Sequence, residues 1–162
     1  PTPFNNLLWR GVAEGKSAYY VGFYSLLDPD RSIDFRRVPK GHTQLGPAAQ
    51  SPIVQRLRRF SRGYYAVRTA PDGALLIHDL RFGRNDLGLT AEGEYLFTFR
   101  LQQAPDGQVV GMTETDPPIR LNAALLRRFA ARIGGRPAPV AEDSLSPEDV
   151  LSGVSSPHDS VN

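Results

Sequence analysis

Two copies of the tetrapeptide Ala-Pro-Asp-Gly constrain the fold of this chain more than any other feature. They stand at 70–73 and 104–107, and each lies between two segments rich in branched and aromatic residues. Glycine adopts the left-handed backbone that a tight turn requires, and proline and aspartate also favour turns, so each copy predicts a β-hairpin. We therefore expect four antiparallel strands, over 64–69, 74–82, 94–103 and 108–113.

A further hairpin is predicted near the start of the chain. Segments 6–13 and 19–27 are apolar and aromatic, and they flank Glu14-Gly15-Lys16. In the second segment apolar side chains fall on both faces of the strand, which is typical of a strand that is covered on both sides or lies beside a pocket. A short strand at 33–38 is expected to follow, within a stretch otherwise typical of a loop.

Two segments carry helix signals. Ser51 can cap free amide groups and Pro52 favours the first helical position, so a helix is predicted to start there and to end at Gly63. Its apolar stripe consists of Ile53, Val54, Leu57 and Phe60. A second helix is predicted over 122–133. The predicted fold class is α+β: an antiparallel sheet of about six strands with two main helices packed on one face, in the order ββαββββα.

Length and charge set the expected domain organisation. The 162 residues fit one domain, which we place at 1–135. Residues 136–162 are rich in proline, serine and acids, and we expect a mostly disordered tail there. Segment 31–68 contains nine Lys and Arg residues against Asp34 alone, whereas the last 24 residues contain five acids and neither Lys nor Arg. The basic middle of the chain permits anion binding without proving it.

The residues that catalysis most often needs are scarce. The chain has no cysteine, which excludes a disulfide framework, a thiolate zinc site and a cysteine nucleophile. His42, His78 and His158 are the only histidines, and none has metal-ligand spacing on a predicted helix. A Gly-x-Ser-x-Gly nucleophile motif is also missing. We therefore predict neither catalytic residues nor a metal site in this chain.

Asp79 and Arg81 form the most informative pattern, because they share a predicted strand face with the apolar residues Leu75 and Ile77. A charge pair on an apolar face has two interpretations, which both stay open at this stage. The pair can be a partly buried ion pair that links strands, or Arg81, together with Arg10, can hold an anion in a cleft. The aromatic residues expected to line such a cleft are Trp9, Tyr20, Tyr24, Tyr64 and Tyr65, although core packing explains them equally well.

Nucleic-acid binding, or another regulatory interaction, is the alternative use of the basic residues. Four arginines decorate the first predicted helix and would attract phosphate. No helix-turn-helix, zinc-finger or RNA-binding sheet motif accompanies them, so nucleic acid is the less favoured partner. The arginines concerned are Arg56, Arg58, Arg59 and Arg62.

Several ordered blocks within residues 1–100 resemble the C-terminal region of the YdjM-like family of inner-membrane-associated metal-dependent hydrolases. The blocks are Pro1-Thr-Pro-Phe-Asn-Asn-Leu-Leu-Trp-Arg10, Tyr24-Ser-Leu-Leu-Asp28, Val54-Gln-Arg-Leu57, Phe60 with Gly63-Tyr-Tyr65, Asp79-Leu-Arg-Phe-Gly83 and Phe97-Thr-Phe99. In that family an N-terminal half of membrane helices carries a motif of histidines and aspartate, which implies a divalent metal there. No cofactor is implied for the segment present here.

The resemblance, together with a start at Pro-Thr-Pro rather than methionine, leads us to expect a piece of a longer protein. It implies a soluble domain that is attached to the bacterial inner membrane through an N-terminal region absent from this chain. The implied function is that of an accessory or ligand-binding domain, not catalytic alone. Its expected partners are its own N-terminal membrane domain and a small anionic ligand.

Overall fold

The computed structural model describes residues 2, 5–90, 93–115, 117–118, 122–136 and 144–145. These residues contain strands and helices in an order close to the predicted one, with a 3₁₀ helix over His42–Gln50. The strands are β1 (Leu8–Glu14), β2 (Ala18–Ser25), β3 (Phe35–Pro39), β4 (Tyr65–Thr69), β5 (Leu75–Asp79), β6 (Thr98–Gln103), β7 (Val109–Thr115) and β8 (Ser144–Leu145). The α-helices are α1 (Pro52–Phe60) and α2 (Ala123–Ile133). The α+β class and the two main helices are confirmed.

The chain divides into two compact units. The first unit combines Pro1–Pro39 with Asn122–Asn162, and the second is Lys40–Leu121, so the second is inserted between β3 and α2. The strands lie in two antiparallel sheets, of order β1-β2-β3-β8 and β4-β5-β6-β7, rather than in the one sheet of about six strands that was expected. Each unit contains one of the two α-helices. The single domain at 1–135 stays a prediction.

In the first unit, α2 is tied to the β1–β2 hairpin by polar contacts. The Asn122 side chain caps the helix by accepting a hydrogen bond from the amide of Leu125 at 2.8 Å. At the other end, Arg132 donates to both carboxylate oxygens of Asp28, at 2.5 and 2.8 Å, and both side chains are buried. Ser25 Oγ donates to the carbonyl of Ile133. These contacts join residues about a hundred positions apart in the chain.

In the second unit, α1 and the 3₁₀ helix pack on the sheet around one apolar core. As predicted, α1 begins at Pro52, and the hydroxyl of Ser51 accepts a hydrogen bond from the amide of Ile53. Phe60, expected in the buried stripe, is instead about half exposed. The buried core consists of Leu45, Ala48, Val54, Leu57, Tyr65, Val67, Leu75, Ile77, Phe99 and Leu101.

Both Ala-Pro-Asp-Gly turns form as predicted. Gly73 and Gly107 have φ of 85° and 81°, and each glycine amide donates to the carbonyl of the alanine that opens the turn. The aspartate of each turn accepts a hydrogen bond from the amide two residues later, at 3.3 and 3.0 Å. The turn residues therefore fix the register of β4 with β5 and of β6 with β7.

Strand β5 is shorter than the predicted strand over 74–82. It ends at Asp79, because the carboxylate of Asp79 accepts a hydrogen bond from the backbone amide of Arg81 and draws the chain into a bend. In the predicted tail, Ser144–Leu145 pairs with β3. The rest of 137–162 lies outside the described residues, so the disorder expected there stays a prediction.

Candidate functional site

Asp79 and Arg81 form an ion pair at the end of β5. The Asp79 side chain is 1 % exposed, and it lies in the strand register opposite Tyr65. Its Oδ1 accepts hydrogen bonds from the amide and the Nε of Arg81, at 2.9 and 3.1 Å, while its Oδ2 accepts from Nη2 at 2.7 Å. The pair therefore joins residues i and i+2 within one bend, and does not join two strands.

Two phenylalanine rings flank the guanidinium group of Arg81. Its central carbon lies 5.2 Å from the ring centroid of Phe60 and 4.9 Å from that of Phe82, both within cation–π range. The Phe97 ring contacts both, at centroid distances of 6.3 Å from Phe60 and 4.7 Å from Phe82. We call the patch formed by Phe60, Asp79, Arg81, Phe82 and Phe97 the Arg81 surface.

The Arg81 surface is open to solvent at its outer edge. Phe60 is 46 % exposed and Phe82 is 49 % exposed, and the Arg81 side chain is 25 % exposed. Asp79 engages the Nε and Nη2 atoms, and no described residue accepts a hydrogen bond from Nη1. A guanidinium group carries five N–H donors. Arg81 is therefore held in one orientation with donors left for a further acceptor.

The helix that supplies Phe60 also supplies positive charge. Its exposed arginines surround the apolar face that packs on the sheet, as predicted from the sequence. Within the described residues, the only carboxylate on the Arg81 surface is that of Asp79, which Arg81 already neutralises. The surroundings therefore favour an acidic partner. The arginines of the helix are Arg56, Arg58 and Arg59, and Arg62 follows in the turn after it.

Tyr65, one of the predicted site residues, is packed in the core of the second unit. Its ring stacks on the His42 imidazole with centroids 4.1 Å apart, and His42 Nε2 lies 2.9 Å from the Tyr65 carbonyl oxygen. Burial raises the pKa of the Tyr65 hydroxyl, and the positive charge of Arg58 opposes that rise. Tyr65 thus contributes a buried ring beneath the end of β5.

His78 lies in β5, with its ring against Tyr95 at a centroid distance of 4.9 Å. Its Nδ1 is 2.8 Å from the hydroxyl oxygen of Thr98. Burial, reinforced by the positive charge of Arg68, lowers the pKa of His78 to about 4. Among the described residues, no three His, Asp or Glu side chains cluster closely enough to hold a metal ion.

The other predicted site residues lie in the first unit. Trp9 is opposite Tyr24 in the β1–β2 register, and Arg10 is opposite Phe23. Because neighbouring residues of a strand point to opposite faces, Arg10 projects from the face opposite to that of Trp9. Trp9 is half exposed, and its Nε1 donates to the carbonyl of Asn6. A site shared by Arg10 and Arg81, which lie in different units, stays a prediction.

Three members of the Arg81 surface were not predicted to be site residues. From the sequence, Phe60 was expected in the buried stripe of α1, and Phe82 and Phe97 stood only in the blocks that carry the family resemblance. Phe60 is the last residue of α1, three positions before the glycine that ends the helical segment. An aromatic residue so close to the end of a helix lies where the chain turns away from the core. This position was the sequence feature from which the exposure of Phe60 could have been predicted.

A shallow pocket lies elsewhere in the second unit, with a volume of about 220 Å³. It is formed where the start of α1 meets the turn between β6 and β7, and Ser51, Asp106 and Gln108 supply its polar groups. None of the residues predicted for the site lines it.

No protein-family model, curated protein or solved structure matches this chain. Among the described residues, none of the helices has the length and apolar character needed to cross a membrane. The candidate site therefore has to be interpreted from its own geometry and charge.

Proposed function

We propose that this chain is a binding module without catalytic activity of its own, and that the Arg81 surface binds a protein segment presenting a carboxylate beside an apolar side chain. One observation carries the proposal: the guanidinium group of Arg81 is fixed by Asp79 between two half-exposed phenylalanine rings, with donors directed away from Asp79. A carboxylate can accept from those donors while an apolar neighbour covers Phe60 or Phe82.

The composition of the patch supports a protein ligand. Arginine and aromatic residues are enriched among the residues that dominate binding energy in protein interfaces. Because Asp79 and the two rings already hold Arg81, binding immobilises little further side-chain freedom. Asp79 also neutralises Arg81, so the site favours a single carboxylate with apolar surroundings over a densely charged anion.

The family resemblance extends this proposal to the protein as a whole. In a longer protein of the kind that it implies, this module would serve a membrane-bound metal-dependent hydrolase as an accessory domain. It would hold an acidic segment of the substrate, or of a neighbouring domain, while the metal centre lies elsewhere. Its attachment to the bacterial inner membrane belongs to the same proposal.

The test compares two peptides that differ only in the proposed recognition group. Acetyl-Leu-Leu-Phe with a free C-terminal carboxylate and the same peptide with a C-terminal amide are titrated into the isotopically labelled chain and followed by NMR. We expect the acid to bind at least about tenfold more tightly, the equivalent of about 1.4 kcal/mol. The largest chemical-shift changes should occur at the backbone amides of Phe60, Arg81 and Phe82.

Arg81→Ala should abolish the preference for the acid, and Phe82→Ala should weaken binding of both peptides. Phe82 is half exposed, so its replacement leaves the core intact. Arg100→Ala is the matched control, because Arg100 is paired with Asp72 on the exterior of the same sheet. Equal affinities for acid and amide, or an unchanged preference in Arg81→Ala with an unchanged unfolding midpoint, would contradict the proposal.

A second candidate function is nucleic-acid binding through α1, and the exposure of its arginines favours it. A single-stranded oligonucleotide provides the distinguishing probe. Binding through phosphates would weaken steeply as salt rises, with log K linear in log salt concentration. Binding of a peptide with one carboxylate would change little over the same range. Oligonucleotide affinity that is steep in salt and lost in an Arg58→Gln/Arg59→Gln variant would favour this alternative.

A further inference from the structure

Strand β7 is an outer strand of the sheet in the second unit. The sheet has the order β4-β5-β6-β7, so β7 pairs with β6 and is the last strand on its side. Most of its residues are exposed, including two apolar ones, Val110 at 66 % and Met112 at 39 %. Edge strands of natural proteins are commonly blunted by lysine or proline, because their free backbone groups can pair with another chain. β7 contains neither residue.

The backbone groups of two β7 residues are directed away from the sheet. The amide of Asp79 donates to the carbonyl of Phe97 at 2.9 Å, and bonded and non-bonded pairs alternate along antiparallel strands. Thr98, the next residue, therefore bonds on its other side, toward Thr115 of β7. The same alternation turns every second residue of β7 outward, and no described residue hydrogen-bonds to these outward groups. The two residues are Met112 and Glu114.

The pocket at the start of α1 lies at one end of this strand. Val109, the first residue of β7, lines the pocket together with Pro47 and Pro52. Asp106, in the turn before β7, is the only charged residue among those that line it. A lysine side chain matches such a pocket, because its apolar stem can cover the proline rings while its ammonium group reaches the carboxylate.

The charge along β7 and the turn before it has one sign. Residues 101–115 contain two acids and neither Lys nor Arg. Both acids, Asp106 and Glu114, are exposed, and no described Lys or Arg forms an ion pair with either. An acidic strand edge attracts a basic segment and disfavours the acidic segment proposed for the Arg81 surface. The two surfaces of the second unit therefore select different partners.

We propose that β7 binds an extended basic segment of a partner protein by strand addition, in which the segment pairs with Met112 and Glu114 and inserts a lysine beside Asp106. Main-chain hydrogen bonds supply affinity, and the pocket selects the lysine. An antiparallel segment continues the pairing of the sheet, and its C-terminal end then lies at the pocket, because β7 runs away from the pocket. This site shares no residue with the Arg81 surface.

N-methylated peptides test strand addition without altering the protein. The probe is acetyl-Val-Thr-Val-Thr-Ser-Lys-amide, titrated into the isotopically labelled chain and followed by NMR, with the largest chemical-shift changes expected at the amides of residues 108–114. Methylating alternate backbone nitrogens of the peptide removes either the donors that face β7 or those that face solvent. One methylated peptide should bind at least about tenfold more weakly, and the other should bind like the parent. Equal binding by all three peptides would overturn the proposal.

Replacing the lysine of the peptide with norleucine tests the pocket. The lysine peptide should bind about three- to fivefold more tightly, as expected for an exposed ion pair. Asp106→Asn should remove this preference while keeping the turn, because the asparagine oxygen can also accept from the amide of Gln108. Asp72→Asn, the same change in the other Ala-Pro-Asp-Gly turn, is the matched control and should keep the preference. An unchanged preference in Asp106→Asn would contradict the assignment of the pocket.

Two further outcomes would each identify a different arrangement and overturn the proposal. Peptide binding that is lost in Arg81→Ala but unaffected in Asp106→Asn would place the basic peptide at the Arg81 surface. Chemical shifts of the β7 amides that depend on protein concentration in the absence of peptide would show that a second copy of this chain occupies the strand edge.

Discussion

Buried polar side chains in this protein are consistently given partners. Within the described residues, no buried side-chain nitrogen or oxygen lacks a hydrogen bond. Asp86 shows how closely this is arranged: its carboxylate accepts from the amide of Gly88 at 2.9 Å and from the amide of Thr90 at 3.0 Å. An unsatisfied buried polar group costs about 1 to 3 kcal/mol, so such networks determine which loop conformations are stable.

His78 is a residue whose protonation should alter stability between pH 6.5 and pH 4. Its pKa is about 4 in the folded chain, against about 6.5 in an unfolded one. Between these values the unfolded state binds more protons, so stability falls as pH is lowered through this window and levels off below it. The full loss is about 3 kcal/mol. Urea unfolding at pH 7, 5.5 and 4 measures it.

The comparison that isolates His78 uses His78→Gln. Carboxylates titrate in the same range in both proteins, so their contribution cancels in the difference between the two profiles. The variant should lose less stability than the wild-type chain between pH 6.5 and pH 4. His158→Gln, which removes a different imidazole, should keep the wild-type profile. Parallel profiles for wild type and His78→Gln would show that His78 is not the group responsible.

At the scale of elements, an ion pair reinforces the hydrogen bond from Ser25 to Ile133 in attaching α2 to β2 and the residues that follow it. Arg132 donates to Asp28 and also to the carbonyl of Phe23 at 2.7 Å. The hydrogen bond from Arg132 lowers the pKa of Asp28. Each side chain is less than a tenth exposed, so the pair is largely shielded from bulk water. The helix is thereby fixed against strands that precede it by a hundred residues.

Replacing Arg132 should destabilise the first unit markedly. Arg132→Met keeps much of the side-chain volume but leaves the Asp28 carboxylate buried without its counter-ion, at an expected cost of about 3 kcal/mol. Arg128→Met is the matched control, since Arg128 is exposed on the same helix. The single tryptophan, Trp9, lies in this unit, so its fluorescence during urea unfolding supplies the measurement. Equal midpoints for the two variants would contradict this role.

At the scale of the whole molecule, the second unit interrupts the first. Residues 40–121 stand between β3 and α2, and the principal core cluster is built entirely from residues of this inserted segment. Its four strands follow one another as neighbours along the sheet. The first unit, by contrast, requires chain segments from both sides of the insertion.

This arrangement predicts that the inserted segment folds alone. A fragment of residues 40–121 contains its whole core and both turns, and a core of this kind can support a small domain. We expect this fragment to unfold cooperatively in urea when the transition is monitored by far-UV circular dichroism. The matched fragment 1–39 lacks α2 and should remain unfolded, because Arg132 is missing. A gradual transition in the first fragment would mean that its core needs the rest of the chain.

Local features of the sequence determined much of the fold. The Ala-Pro-Asp-Gly turns and the Ser51-Pro52 helix start rest on the backbone preferences of the residues themselves, and they formed as predicted. The pattern of Asp79 and Arg81 on an apolar face showed that these charges need an explanation, and it left open whether they pair with each other or hold an anion.

Only the tertiary structure decided how these elements combine. The strands divide between two sheets, and no local sequence pattern indicates that division. The ion pair of Asp28 with Arg132 likewise joins residues that no local pattern connects. The same holds for Phe60 and Phe82, whose exposure depends on where α1 ends relative to the bend after β5. Turns and caps are set by interactions between near neighbours in the chain, whereas sheet membership and surface exposure depend on packing between distant segments.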